Sequence, residues 1–195
     1  MTLLLVRHGQ TAVNSEGRLQ GRVDAPLTEL GRDQAARLGV LVAPSRPRLV
    51  VASPLARARA TAEAIAEAAG VATVEIDERL TELHYGDWDG QRIADLPEGT
   101  FSRWQADVGF APPGGESLPA LRARVVPCIE ELLGTEGVVV AVSHVSPIKA
   151  ALTWALGVGD EVSWRLHLAV ASVSRLALRG DTPIVLSFNE TAHLD

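Results

Sequence analysis

The sequence predicts an α/β fold, a mostly parallel central sheet with helices on both faces. Two observations carry this. Short apolar runs (Leu3–Val6, Leu49–Ala52, Val138–Val142) alternate with longer stretches of helical apolar spacing, the pattern of strand–helix–strand units. Each of those runs also ends in polar side chains: Arg7-His8, Ser53 and Ser143-His144. In open α/β sheets ligands bind at the carboxyl ends of strands, so three such endings describe one face of a sheet that carries a site.

Taken in order, Thr2–Val6 is a strand, bounded by the Gly-containing polar segment Arg7-His8-Gly9-Gln10-Thr11. Thr28–Val42 is a helix with Thr28 as N-cap and Gly31 as an internal blemish. Arg48–Ala52 is a second strand. Pro54–Ala69 is an Ala-rich helix, with Pro near its first turn and Gly70 past its end. Val71–Ile76 is a weaker strand. Residues 84 to 116, rich in Gly, Pro, Asp and Trp, are loops with short helices. Ser117–Leu133 is a helix whose Leu121, Val125, Cys128 and Leu132 share an apolar spacing, so Cys128 is a packing residue. Gly137–Val142 is a continuous, Val-rich run, the mark of a central strand. Pro147–Leu156 is helical. Ala169–Leu178 and Pro183–Phe188 form a late strand pair at or near a sheet edge, which allows one antiparallel member.

The chain has 195 residues, enough for one domain with a real core, and residues 1–195 are read as that single domain. Its formal net charge of −6 argues against nonspecific binding of nucleic acid or anionic membranes, so any anion site has to be a local concentration of Arg. Lys149 is the sole lysine. One cysteine excludes an internal disulfide. No apolar stretch reaches the length of a membrane helix and no signal-type start is present, so a cytoplasmic setting is expected.

The strand endings suggest a chemistry. Neighbouring parallel strands place Arg7, His8, Ser53, Ser143 and His144 side by side, with Arg57 and Arg59 in the first turn after the second strand. Guanidinium forks and helix N-termini both suit phosphate oxygens. A histidine that is neutral at one ring nitrogen, with the other held by an acceptor, can attack phosphorus. The remaining work of phosphoryl transfer is positioning and charge stabilisation. A leaving alkoxide needs a proton, for which Asp77, Glu78, Glu82, Asp87 and Asp89 are all candidates. Metal catalysis is not expected: His-x-His and His-Glu-x-x-His spacings are absent, and His8 with His144 alone makes a poor zinc set. No cofactor is called for.

A series of blocks in the family's order resembles the histidine phosphatase superfamily, the group that includes cofactor-dependent phosphoglycerate mutases and many small phosphatases. Leu5-Val6-Arg7-His8-Gly9-Gln10-Thr11 resembles its signature, which implies that His8 is the phosphorylated residue. Asn14 matches an Asn that touches phosphate, and Gln20-Gly21-Arg22 begins a second block. Ala52-Ser53-Pro54-Leu55-Ala56-Arg57 resembles the block that places Arg57 on the phosphate. Glu82, before Tyr85-Gly86, matches the proton donor. Gly114-Gly115-Glu116-Ser117 and Val142-Ser143-His144 complete the set, His144 being the second catalytic histidine. The resemblance covers nearly the whole chain. It implies a three-layer α/β/α sandwich with one antiparallel strand, catalytic His8, Glu82 and His144, and phosphate contacts from Arg7, Asn14, Gln20, Gly21 and Arg57.

Within that group the chain is read as a phosphatase. Leu83 stands where mutases carry an Arg, and residues 91–115 hold only Arg92 and Arg103, so the extra positive charge that would retain a bisphosphate is absent. The expected partner is a small phosphorylated metabolite, and a homodimer is left open. His144-Val145-Ser146-Pro147-Ile148-Lys149 resembles small bacterial acid phosphatases and α-ribazole-phosphate phosphatases; glucosyl-phosphoglycerate phosphatases are also similar. A mutase and a noncatalytic phosphate-binding module are the alternatives. Trp88, Trp104 and Phe110 either line an apolar substrate wall or pack the loops. His84 is placed either at the pocket rim or in a structural role, Asp24 braces the loop after the first strand, and His167 and His193 are ordinary polar residues.

Overall fold

The computed structural model describes residues 1–195. Six strands form one sheet: β1 (Thr2–Arg7), β2 (Leu49–Ala52), β3 (Val74–Ile76), β4 (Val138–Ser143), β5 (Val173–Arg179) and β6 (Thr182–Glu190). Their order is β3-β2-β4-β1-β5-β6. The first four run the same way, and β5 is antiparallel to both β1 and β6. β5 is therefore the single antiparallel strand, and β6 forms the edge.

Both faces of the sheet are covered, which explains why Leu3–Val6 of β1 and Val138–Val142 of β4 are apolar at consecutive rather than alternate positions. Leu4, Val6, Val50, Ala52, Val140 and Val142 pack against α2 (Glu29–Val42) and α3 (Ala56–Ala69). Leu3, Leu5, Val51, Val139 and Ala141 pack against α5 (Leu118–Gly134) and α6 (Val145–Ala155). This is the three-layer arrangement. Two short helices, α1 (Ala12–Ser15) and α4 (Thr100–Ala106), lie in connections. No helix is long and apolar enough to cross a membrane.

Several boundaries differ from expectation for local reasons. α6 begins at Val145, not at Pro147, because proline fits inside a first turn, where its missing N–H costs nothing. α3 begins at Ala56, since Leu55 is still extended; the Ala56 amide donates to Asp24 Oδ1 at 2.7 Å. Asp24 thus caps α3 from a distance and ties the loop after β1 to that helix. Gly31 is not a blemish. A Cβ there would collide with the Gln10 carbonyl oxygen, so its hydrogen lets the backbone of α2 lie directly on the loop that follows β1. α1 has no counterpart in the sequence pattern. It is a single turn held by a capping box, in which Thr11 accepts from the Asn14 amide and Asn14 accepts from the Thr11 amide.

Candidate active site

Strand register builds the site. Arg7 pairs with Ser143 and Val142 with Ala52, so residues 8, 53 and 144 all leave the sheet at the same level. The His8 amide donates to Ser143 O at 3.1 Å and the Ser53 amide to Val142 O at 3.0 Å, carrying the ladder one step past the strands. The two imidazoles end with ring centroids 5.0 Å apart.

His8 has one tautomer that satisfies its surroundings. Nδ1 lies 2.7 Å from Gly9 O, which can only accept, so Nδ1 carries the proton. Nε2 is left with its lone pair, and Arg57 Nε donates to it at 3.2 Å. Burial first, then the charges of Arg57 and Arg7, hold this imidazole well below its ordinary pKa of 6.5, so it is neutral at pH 7. His144 is equally buried and its pKa is lowered in the same way, mainly by burial and then by Arg57. Its Nε2 lies 2.8 Å from Ser53 Oγ. That hydroxyl oxygen also accepts from the Leu55 amide, and it can donate its own proton to His144 Nε2. Nδ1 of His144 is then the protonated nitrogen.

Arg57 is wholly buried. Its Nη1 donates to Val23 O and its Nη2 to Gly21 O, each at 2.8 Å. Gly21 holds a left-handed φ of 47°, and a side chain there would strike Asp89. Arg7 Nη1 donates to Leu168 O at 2.6 Å. Burial pushes the Arg7 pKa down to about 10, against the pull of Glu82, which leaves it cationic at neutral pH. Gln20 Oε1 accepts from Thr11 Oγ1 at 2.8 Å and from Asn14 Nδ2 at 3.1 Å. Asn14 therefore orients Gln20 as well as lining the site itself.

Glu82 is 5% exposed, and its carboxylate accepts three backbone amides. Oε1 takes those of Leu83 at 2.8 Å and Ser146 at 3.1 Å, and Oε2 that of Val145 at 3.1 Å. Two of the three come from the first turn of α6, where the helix dipole also favours an anion. Arg124 braces this segment, donating to Glu82 O and to Glu116.

A cavity of about 170 Å³ lies over these groups. Arg7, His8, Asn14, Gln20, Gly21, Arg57 and Glu82 all line it; His144 is not one of its lining residues, and its ring centroid is 5.0 Å from that of His8. Arg7 Nε, Gln20 Nε2 and His144 Nδ1 are buried with no partner in the protein. An unsatisfied buried donor costs about 1–3 kcal/mol, so two on the lining of one cavity, with His144 beside His8, mark a place for an oxygen-rich anion. Three guanidiniums (Arg7, Arg18 and Arg57) against one carboxylate on the lining give that place a net positive charge.

Other expected residues lie elsewhere. Arg59 points outward and pairs with Glu63 at 3.8 Å, because only one residue of an Ala-Arg-Ala-Arg run can face the sheet. His84 lies 4.0 Å from Asp89 and does not line the cavity. Trp88 and Phe110 stack on each other within the loop core, so of the three aromatics only Trp104 lines a neighbouring cavity. Ser53, Arg18 and Tyr85 are additions. Ser53 sits where a strand end had already been read, but its partner across the sheet was not readable from spacing. No group of three or more His, Cys, Asp and Glu side chains gathers as a metal set.

A doubly covered α/β sheet whose central strand ends hold two neutral histidines between two guanidiniums defines a phosphate-handling protein. The profile of the histidine phosphatase superfamily (branch 1) matches residues 3–191, and the chain belongs to that superfamily. A bifunctional protein of Mycobacterium tuberculosis is 39% identical over 199 residues, covering 98% of this chain and 54% of the relative. The chain thus spans about half the length of that relative. Phosphoserine phosphatase 1 of Hydrogenobacter thermophilus is 34% identical over 200 residues, covering 98% and 93%. The structure of a mycobacterial glucosyl-3-phosphoglycerate phosphatase in complex with VO3 is similar at a TM-score of 0.90 and 32% identity, covering 97% of this chain and 99% of that one.

Proposed function

We propose that this chain is a metal-independent phosphomonoester hydrolase that works through a phosphohistidine at His8, on a small phosphorylated metabolite, as one catalytic domain in the cytoplasm. The observation that carries the reading is the state of His8: Nδ1 is tied to Gly9 O, and an unprotonated Nε2 opens toward a cavity with unpartnered donors.

In the first step Nε2 attacks phosphorus, the P–O bond to the leaving group breaks, and protonated Glu82 gives its proton to the departing oxygen. Arg57 exchanges its contact with Nε2 for a phosphoryl oxygen, while Arg7, Gln20 Nε2 and His144 Nδ1 hold the others. In the second step water attacks phosphorus, Glu82 takes its proton, the P–N bond breaks, and inorganic phosphate leaves with His8 restored.

The test is to mix enzyme with a phosphomonoester, quench in denaturant at alkaline pH, and map the phosphoenzyme. An acid-labile phosphate on residue 8, absent in His8→Ala along with turnover, is expected. Turnover of wild type with no such adduct overturns the mechanism. Isomerisation of 3-phosphoglycerate with a bisphosphate primer and without phosphate release overturns the hydrolase reading.

A further inference from the structure

A second cavity adjoins the first. Tyr85 and Val145 line both. Beyond them the wall is formed by Trp104, Trp164, Ser146 and Lys149. Lys149 stands four residues after Val145 on α6, hence on the same helix face. It is the chain's sole lysine, it is half-buried, and it takes part in no ion pair or hydrogen bond. It lies within electrostatic reach of both Glu82 and Arg7. The one carboxylate on the wall, Asp160, is already bound by Arg122 at 3.0 Å.

Two further donors surround this cavity without acceptors. The indole N–H groups of Trp104 and Trp164 are both buried and unpartnered, and their rings meet edge to face at 4.7 Å. A lysine ammonium and two indole N–H groups against an apolar wall are all donors, with no free anion among them. Such a wall favours a ligand that brings acceptors. One cation beside neutral donors balances a monoanion; a second phosphate would ask for guanidinium forks, which this wall lacks. The cavity, about 70 Å³, holds a compact group of a few heavy atoms, given about 10–15 Å³ for one water.

We propose that this cavity is the leaving-group subsite, that Lys149 receives a carboxylate there, and that the substrates are therefore phosphomonoesters of small hydroxy or amino-hydroxy acids. This rests on the hydrolase reading above. The phosphoryl group would occupy the histidine cavity while the acid end of the same molecule passes Tyr85 and Val145 to Lys149. Lys149 is a binding residue here and takes no part in the bond changes.

The experiment compares matched pairs that differ by a carboxylate: O-phosphoserine against ethanolamine phosphate, and 3-phosphoglycerate against glycerol 3-phosphate. Para-nitrophenyl phosphate serves as a probe of the phosphoryl chemistry alone. Wild type is expected to favour the carboxylated member of each pair at least tenfold in kcat/KM, with most of the difference in KM. Lys149→Met should collapse both ratios toward one, and Trp164→Phe, which keeps a ring but removes an N–H, should reduce them severalfold. Wild-type ratios near one, or ratios that survive in both variants, overturn the subsite while para-nitrophenyl phosphate is still hydrolysed. No hydrolysis of any probe overturns the hydrolase reading instead.

Discussion

At the scale of single residues, the site is built from side chains whose hydrogen bonds choose their chemistry. In the proposed mechanism His8 acts as the nucleophile by virtue of one carbonyl, Gly9 O, and His144 as a donor when Ser53 gives its proton to Nε2. Glu82 is the informative residue for testing the mechanism. Gln has the same shape, but its amide group cannot accept on both sides, so it loses part of the three-amide cradle as well as the transferable proton. General acid catalysis contributes about 10²–10⁴-fold, and a good leaving group needs little of it. Glu82→Gln should therefore lower kcat/KM for an alkyl phosphate by about 100-fold or more, and for para-nitrophenyl phosphate by about tenfold or less. Equal losses on the two would remove Glu82 from the role of acid.

At the scale of elements, the decisive contact is that of α2 with the loop after β1. Thr28 caps this helix with a 3.0 Å bond from the Gly31 amide and also donates to Gln10 O, so helix and loop share one hydrogen-bond system. A Cβ on Gly9 would strike the Gly31 carbonyl, and one on Gly31 would strike the Gln10 backbone, so neither position tolerates a side chain. Helix propensity alone would favour Ala over Gly by about 1 kcal/mol. Here the collision with Gln10 O reverses the sign, and Gly31→Ala should destabilise the protein by about 1–3 kcal/mol, the usual range for overpacking. Because the displaced loop carries His8, kcat should fall as well. Urea unfolding curves with an unchanged or raised midpoint for Gly31→Ala would contradict this.

At the scale of the whole molecule, burying two uncharged imidazoles at the sheet's centre couples stability to pH. Both have folded pKa values well below 6.5, whereas in the unfolded chain they titrate near that value. Their contribution is fully present above pH 6.5. As pH falls below it, the unfolded chain binds protons that the folded chain refuses, and stability is lost until the folded pKa values are reached. Each histidine can contribute a slope of about 1.4 kcal/mol per pH unit in that window. Urea unfolding at pH 7.5 and 5.5 should show the decline, and His144→Ala should show a shallower one. The same slope in both proteins would mean that other groups control it.

Much of this was legible in the chain itself. Apolar runs and their polar endings determined the strands, the helices between them and the residues His8 and His144, because period and punctuation are local properties of a polymer. Glu82 was one of five acids, and Arg57 one of two arginines in the same turn, until the family blocks singled them out. The tertiary structure alone decided the register that aligns residues 8, 53 and 144, the tautomers set by Gly9 and Ser53, the close approach at Gly31, and the second cavity around Lys149. Each of these depends on contacts between segments dozens of residues apart, where hydrogen-bond geometry and excluded volume act and sequence spacing carries no distance.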